Sequence, residues 1–82
     1  MANDTFYLTI ASVGEARFDG EAVSVTLPGT EGMFEILPHH EALVTTLKKG
    51  IIRVCDSAGE VRQFEIENGV VECANNRVVV LL

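Results

Sequence analysis

The chain has 82 residues, enough for one domain with one modest core, and a chain of this length buries only roughly 60 to 65 % of its unfolded surface. Hydrophobic residues make up 48 % of it without any tryptophan, which describes a foldable globular domain rather than a disordered tail. Twelve acidic against six basic residues give a net charge of −6 with no basic stripe, which excludes a nucleic-acid partner and favours basic protein surfaces.

No run approaches the roughly 20 apolar residues of a membrane span, so direct membrane insertion is not expected. The opening "MANDTFYLTI" has no basic region followed by an apolar core and therefore no secretory signal, which points to the cytosol. Cys55 and Cys73 lack C-x-x-C spacing, and in a cytosolic chain they are expected as reduced thiols.

Valine, isoleucine and threonine supply 22 residues, which favours strands. In chain order the runs are "TFYLTIAS", "EAVSVTL", "MFEIL", "ALVTTL", "IIRVC", "VRQFEIE", "VVECA" and "RVVVLL". Turn marks separate them at Gly14, Asp19-Gly20, Pro28-Gly29, Glu31-Gly32, Lys49-Gly50, Ala58-Gly59, Asn68-Gly69 and Asn75-Asn76. Short strands at this spacing predict an all-β, antiparallel sandwich or barrel, in a single domain over residues 1–82.

Alternation assigns faces. In "GIIRVC", Ile52 and Val54 point inward while Arg53 faces water; in "VRQFEIE", Phe64 and Ile66 point inward and the glutamates face out. Cys73 shares a face with Val71 and reads as a small core residue. The expected core includes Val25, Ile36, Ile52, Val54, Phe64, Ile66 and Val71. Phe64→Ala is then expected to cost roughly 3 to 5 kcal/mol. No stretch of ten or more residues holds a 3.6-residue period; "HHEALVTTL" comes nearest, but Val44, Thr45 and Thr46 are poor helix formers.

Residues capable of chemistry are few. His39 and His40 are adjacent, so on an extended segment they point to opposite faces and cannot share a metal; no H-x-x-x-H or C-x-x-C supplies one. A cysteine nucleophile paired with a histidine is conceivable, but nothing suggests an oxyanion hole. "PGTEG" lacks the lysine and following helix of a phosphate-binding loop and reads as a tight turn. A free-standing sandwich that binds carbohydrate or peptide is the leading alternative, and four Phe, one Tyr and no Trp leave it little aromatic platform. Neither a cofactor nor a metal is expected.

The stretch "GTEGMFEILPHHEALVTTLKKGIIRV" resembles the signature region of the epsilon subunit of F-type ATP synthases (delta in mitochondrial naming). The matching positions are Gly29, Glu31, Gly32, Ile36, Leu37, Pro38, His40, Leu43, Thr45, Leu47, Gly50, Arg53 and Val54. Ser12, Phe18 and Gly20 match the family's opening hairpin; Gly69 and Glu72 match its closing strands. The resemblance covers essentially the whole chain. His39 stands where glycine is usual, which implies a different backbone at that corner. Met33 replaces a second acidic residue, leaving Glu31 as the acidic candidate there.

This resemblance implies a β-sandwich of about ten strands in two sheets, at the foot of the rotor between the gamma subunit and the ring of c subunits. It implies a non-catalytic role, transmitting torque during proton-driven ATP synthesis, in a complex peripheral to the cytoplasmic face of the cell inner membrane. It places Thr30, Glu31, Gly32 and Met33 on a loop reaching the ring, and Ser12, His40 and Thr45 against gamma; the alpha and beta catalytic subunits are reached only through these. Longer members carry a carboxy-terminal helical hairpin. The sequence stops at "RVVVLL" with no helical segment after it, so a short form of the subunit is expected, with no ATP binding and no braking of hydrolysis.

Overall fold

A computed structural model describes residues 4–82. Eight strands follow in chain order: β1 (Phe6–Ser12), β2 (Glu15–Gly29), β3 (Gly32–Ile36), β4 (Leu43–Leu47), β5 (Gly50–Asp56), β6 (Val61–Ile66), β7 (Gly69–Ala74) and β8 (Arg77–Leu81). Each of the eight β-branched runs in the sequence became one strand, against the ten or so the resemblance implies. Among the described residues no helix is long and apolar enough to cross a membrane.

The strand β2 organises the rest. Fifteen extended residues at about 3.3 Å each would span ~50 Å, whereas the longest dimension of the molecule is 37 Å. The strand therefore bends, and it does so at Val23, where the register against β5 slips between Ala22 and Ser24. Such a slip is how a bulge turns a strand from one layer into another. The first half of β2 pairs with β1, and the sheet continues through β8 and β7 to β4. The second half pairs with β3 on one edge and β5 on the other, with β6 beyond. Two layers thus share one strand, joined again where Gly29 pairs with Leu47 at the end of β4. Every pairing is antiparallel except β1 with β8, which is parallel because β8 returns beside β1 after the β7–β8 hairpin.

Asp19-Gly20, expected as a turn, lies inside β2. Asp19 stands opposite Thr9, whose hydroxyl donates to its carboxylate at 3.1 Å, and Gly20 stands opposite Leu8. The ladder with β1 overrides the local turn preference of that dipeptide. By contrast, Asn75 and Asn76 both have positive φ, 53° and 61°, between the paired Ala74 and Arg77. That is a two-residue type I′ hairpin, in which asparagine tolerates the left-handed backbone.

Between the layers lie Phe6, Leu8 and Ile10 of β1, Ala22, Val25 and Leu27 of β2, and Ile36, Leu47, Ile52, Val54, Ile66, Val71, Cys73, Val78 and Val80. Six of the seven expected core residues are buried there. Phe64 is the exception: it only packs against the core and remains half-exposed. It sits on β6, which pairs only with β5, so one flank of its ring meets solvent.

One buried acid was not foreseen. Asp56, at the end of β5, is 8 % exposed. Its Oδ1 accepts the amides of Ala58 at 3.0 Å and Glu60 at 2.9 Å, and Oδ2 accepts Arg62 Nε at 3.3 Å. The Arg62 guanidinium also lies 5.8 Å from the centre of the Phe18 ring. The Glu60 amide above all, then Arg62 and the Ala58 amide, hold the Asp56 carboxyl below its ordinary value of 3.8 against the opposing effect of burial.

Two measurements check this packing. Ile52→Ala should lower the free energy of unfolding by about 2 to 5 kcal/mol, and Phe64→Ala by clearly less, in urea titrations of the two variants. A carboxyl depressed in the native state stabilises at pH above its ordinary value, and that contribution disappears as pH falls through the lower native value. The stability gap between the wild type and Asp56→Asn, wide at neutral pH, should therefore narrow once the pH drops below 3.8.

Candidate docking site

The segment with the densest concentration of glycine, proline and histidine builds one edge of the molecule. β2 and β3 form a hairpin whose tip is Thr30-Glu31, closed by the Gly29–Gly32 pair. Gly29 is dictated by packing: a Cβ there would lie 2.8 Å from the Gly32 carbonyl oxygen and 2.9 Å from the Phe34 ring. The tip is fastened to β4. The Thr30 amide donates to the Thr46 carbonyl at 3.1 Å, the two threonine hydroxyls meet at 3.1 Å, and the Lys48 amide donates to the Pro28 carbonyl at 2.8 Å.

Between this tip and β4 opens a groove of about 390 Å³ lined by Gly29, Glu31, Gly32, Met33, Phe34, Leu43, Val44 and Thr45. Met33 and Val44 are 60 % and 70 % exposed, so the groove presents apolar side chains to solvent with Glu31 at its rim. These apolar side chains gather in one concavity instead of lying singly over the surface. A larger depression, about 710 Å³, lies over Tyr7, Glu21, Glu72 and Arg77 and holds none of the residues expected to face the ring or gamma.

The groove brings together Glu31, Gly32 and Met33 of the expected ring-facing loop and Thr45 of the expected gamma-facing set; Thr30 stands at the tip, bonded to Thr46 beside Thr45. His40 lies at the corner that leads into β4, half-buried, with its Nδ1 2.8 Å from the Glu41 carbonyl. Ser12 is at the end of β1, paired with Glu15 across the turn that carries the fully exposed Val13, and does not line the groove. The groove's apolar walls, Phe34, Leu43 and Val44, were not among the contact residues expected from the sequence. Their alternation with polar neighbours is ordinary for strands, and only the meeting of β3 and β4 makes them a surface.

The proline corner follows a path that glycine would take without strain. His39 has φ of 65°, in the left-handed region that a histidine enters at a steric cost. A histidine at that position therefore carries strain that a glycine would not. The cost is met by Asn76, whose Oδ1 accepts the His39 amide at 2.7 Å while its Nδ2 donates to the Thr5 carbonyl at 2.8 Å. One asparagine side chain thus joins the start of β1, the β7–β8 hairpin and the corner before β4. The His39 ring reaches outward, with Nε2 3.8 Å from the Asp4 carboxylate.

The residues capable of chemistry lie as follows. Cys73 is buried, and burial alone pushes its thiol above the ordinary value of 9.0, which withholds the nucleophilic thiolate. Its polar neighbour is the His40 carbonyl, 4.0 Å from Sγ, rather than an imidazole nitrogen. Both cysteines are free thiols. Among the described residues, no three His, Cys, Asp or Glu side chains gather as a metal site, and the large apolar side chains left exposed include no aromatic ring.

Fold and groove define a small β-sandwich with an apolar concavity along one edge. Residues 5–82 match the family of the ATP synthase Delta/Epsilon chain, beta-sandwich domain, and the chain belongs to that family. It is 43 % identical over 75 residues to the ATP synthase epsilon chain of Sulfurimonas denitrificans, covering 92 % of this chain and 58 % of the relative. For the epsilon chain of Alkalilimnicola ehrlichii the identity is 38 % over 77 residues, covering 94 % and 55 %; for that of Chlorobium limicola it is 34 % over 80 residues, covering 98 % and 91 %. The chain therefore spans little more than half the length of two of these relatives and most of the third. The same fold occurs in the cryo-EM structure of the Euglena gracilis mitochondrial ATP synthase OSCP/F1/c-ring, with a TM-score of 0.88 at 24 % identity over 94 % of this chain and 49 % of the other. It occurs again in the central stalk/c-ring of the Tetrahymena thermophila enzyme, with a TM-score of 0.80 at 16 % identity over 99 % and 65 %.

The thiol environments can be measured directly. In the folded protein Cys73 should react with an alkylating reagent much more slowly than the half-buried Cys55, and the two should react alike in urea. Fast labelling of Cys73 in the native state would contradict its burial.

Proposed function

We propose that this chain is a rotor component of an F-type ATP synthase, a non-catalytic module that couples the gamma subunit to the ring of c subunits during proton-driven ATP synthesis. One observation carries the reading: the stretch that resembles the epsilon signature closes, in that family's fold, around a single apolar groove with Glu31 at its rim. The names of the similar proteins support it, since they are ATP synthase epsilon chains and central-stalk and c-ring assemblies. On this reading the module is a peripheral part of a membrane-associated complex, on the cytoplasmic face of the inner membrane, and meets the alpha and beta subunits only through gamma.

The division of contacts follows the hairpin. Thr30, Glu31, Gly32 and Met33 meet the ring, and Ser12, His40 and Thr45 meet gamma. Because Thr45 and the tip share one groove, the two partners adjoin there. Torque passes well through such a part when its contact residues sit on paired strands that do not bend independently, and the Thr30–Thr46 bonds fix the tip to β4. Apolar walls supply affinity on burial, while a rim carboxylate acts mainly on association rate and salt dependence.

Glu31→Lys tests the assignment. In membranes carrying the assembled enzyme it should weaken the coupling of proton pumping to ATP hydrolysis, increasingly so at low salt, while the thermal transition of the isolated domain stays unchanged. Equal coupling in wild-type and variant membranes across a range of salt would remove the ring contact from this loop.

A further inference from the structure

The two-residue link between β6 and β7, Glu67-Asn68, is exposed and leads directly into the half-buried Gly69. We propose that Asn68 is a site of spontaneous chemical modification: deamidation through a cyclic imide formed with Gly69. The Gly69 backbone nitrogen attacks Asn68 Cγ; the N–Cγ bond forms, the Cγ–Nδ2 bond breaks, and the amide proton leaves with the nitrogen as ammonia. Water then opens the ring at either carbonyl and leaves aspartate or isoaspartate. No oxidant or enzyme is required.

The structure singles out this asparagine by what holds the others. Asn76 has both ends of its amide engaged, Nδ2 by the Thr5 carbonyl and Oδ1 by the His39 amide. Asn75 is fixed in the type I′ hairpin, and the nitrogen that would attack it belongs to Asn76, whose side chain crowds the approach. Asn3, outside the described residues, precedes Asp4, which crowds in the same way. Asp19-Gly20, open to the same ring closure, is locked in the β1–β2 ladder with its carboxylate bonded to Thr9. Asn68 lies outside both flanking strands, is exposed, and precedes a residue with no side chain to obstruct the attacking nitrogen.

Packing also keeps the susceptible pair in place. A Cβ on Gly69 would lie 2.8 Å from the Leu81 carbonyl oxygen and 3.0 Å from Leu82 Cδ2, so no larger residue fits without displacing the end of β8. The same tightness gives the two products different consequences. Aspartate adds only a negative charge. Isoaspartate lengthens the backbone by a methylene next to Gly69, which is wedged against Leu81 and pairs with Leu47, and this should loosen the β7 end of the sheet.

The test is to incubate the purified protein at mildly alkaline pH and follow it by ion exchange and peptide mapping, beside Asn68→Gln, Asn68→Asp and a urea-unfolded sample. The expected result is a more acidic form whose modified residue is Asn68. That form should be lost in Asn68→Gln, and the isoaspartyl fraction should melt below Asn68→Asp. Modification appearing first at Asn75 or Asn76 would overturn the proposal. So would an intact Asn68 in the native protein under conditions where the unfolded chain deamidates there, since the fold would then block ring closure.

Discussion

The structure depends on the bend at Val23. A strand too long to fit the molecule in a straight line must turn, and by turning it hydrogen-bonds one half of its length into each layer. The core between the layers is therefore closed along one side by covalent chain instead of by packing alone. In a domain this small, where burial is limited, a shared strand spares the molecule an open seam. The far end of the same strand delivers Pro28 and Gly29 against Leu47 and Gly50, so the strand that closes the core also sets the height of the hairpin tip.

From that tip the candidate site follows as geometry. Phe34 and Leu43 form walls of the groove, Met33 and Val44 are its exposed apolar side chains, and Glu31 stands at the rim. The protein carries a net charge of −6, which on electrostatic grounds favours approach by a basic surface.

A second constraint operates at the opposite side of β4. Three segments far apart in the chain, around Thr5, His39 and Asn76, meet at one amide side chain. His39 occupies a left-handed conformation and the Asn76 bond to its backbone amide stabilises that conformation. The corner thereby fixes where β4 begins, and with it the positions of His40, Leu43 and Thr45. Asp56 plays the comparable part in the β5–β6 turn, where a carboxylate replaces missing backbone partners for Ala58 and Glu60.

By itself the sequence determined the strand content, the eight runs and six of the seven core residues named from it, because a β-strand writes its buried face as a two-residue alternation that needs no knowledge of neighbours. A histidine–cysteine pairing it left open, and only the fold showed Cys73 buried against the His40 carbonyl instead of a ring nitrogen. What it left to tertiary structure was everything set by pairing between distant segments. Asp19-Gly20 has turn chemistry but β1 holds it extended; Phe64 has core chemistry but lies on an edge strand; Asp56 has surface chemistry but closes a turn with Arg62. The groove belongs with these. Glu31 and Thr45 are fourteen positions apart and could be named from the pattern of the chain, yet only the Gly29–Leu47 bridge and the threonine pair put them on one surface. Alternation is a local property of the chain, whereas a docking surface is decided by which strands hydrogen bonding and burial bring side by side.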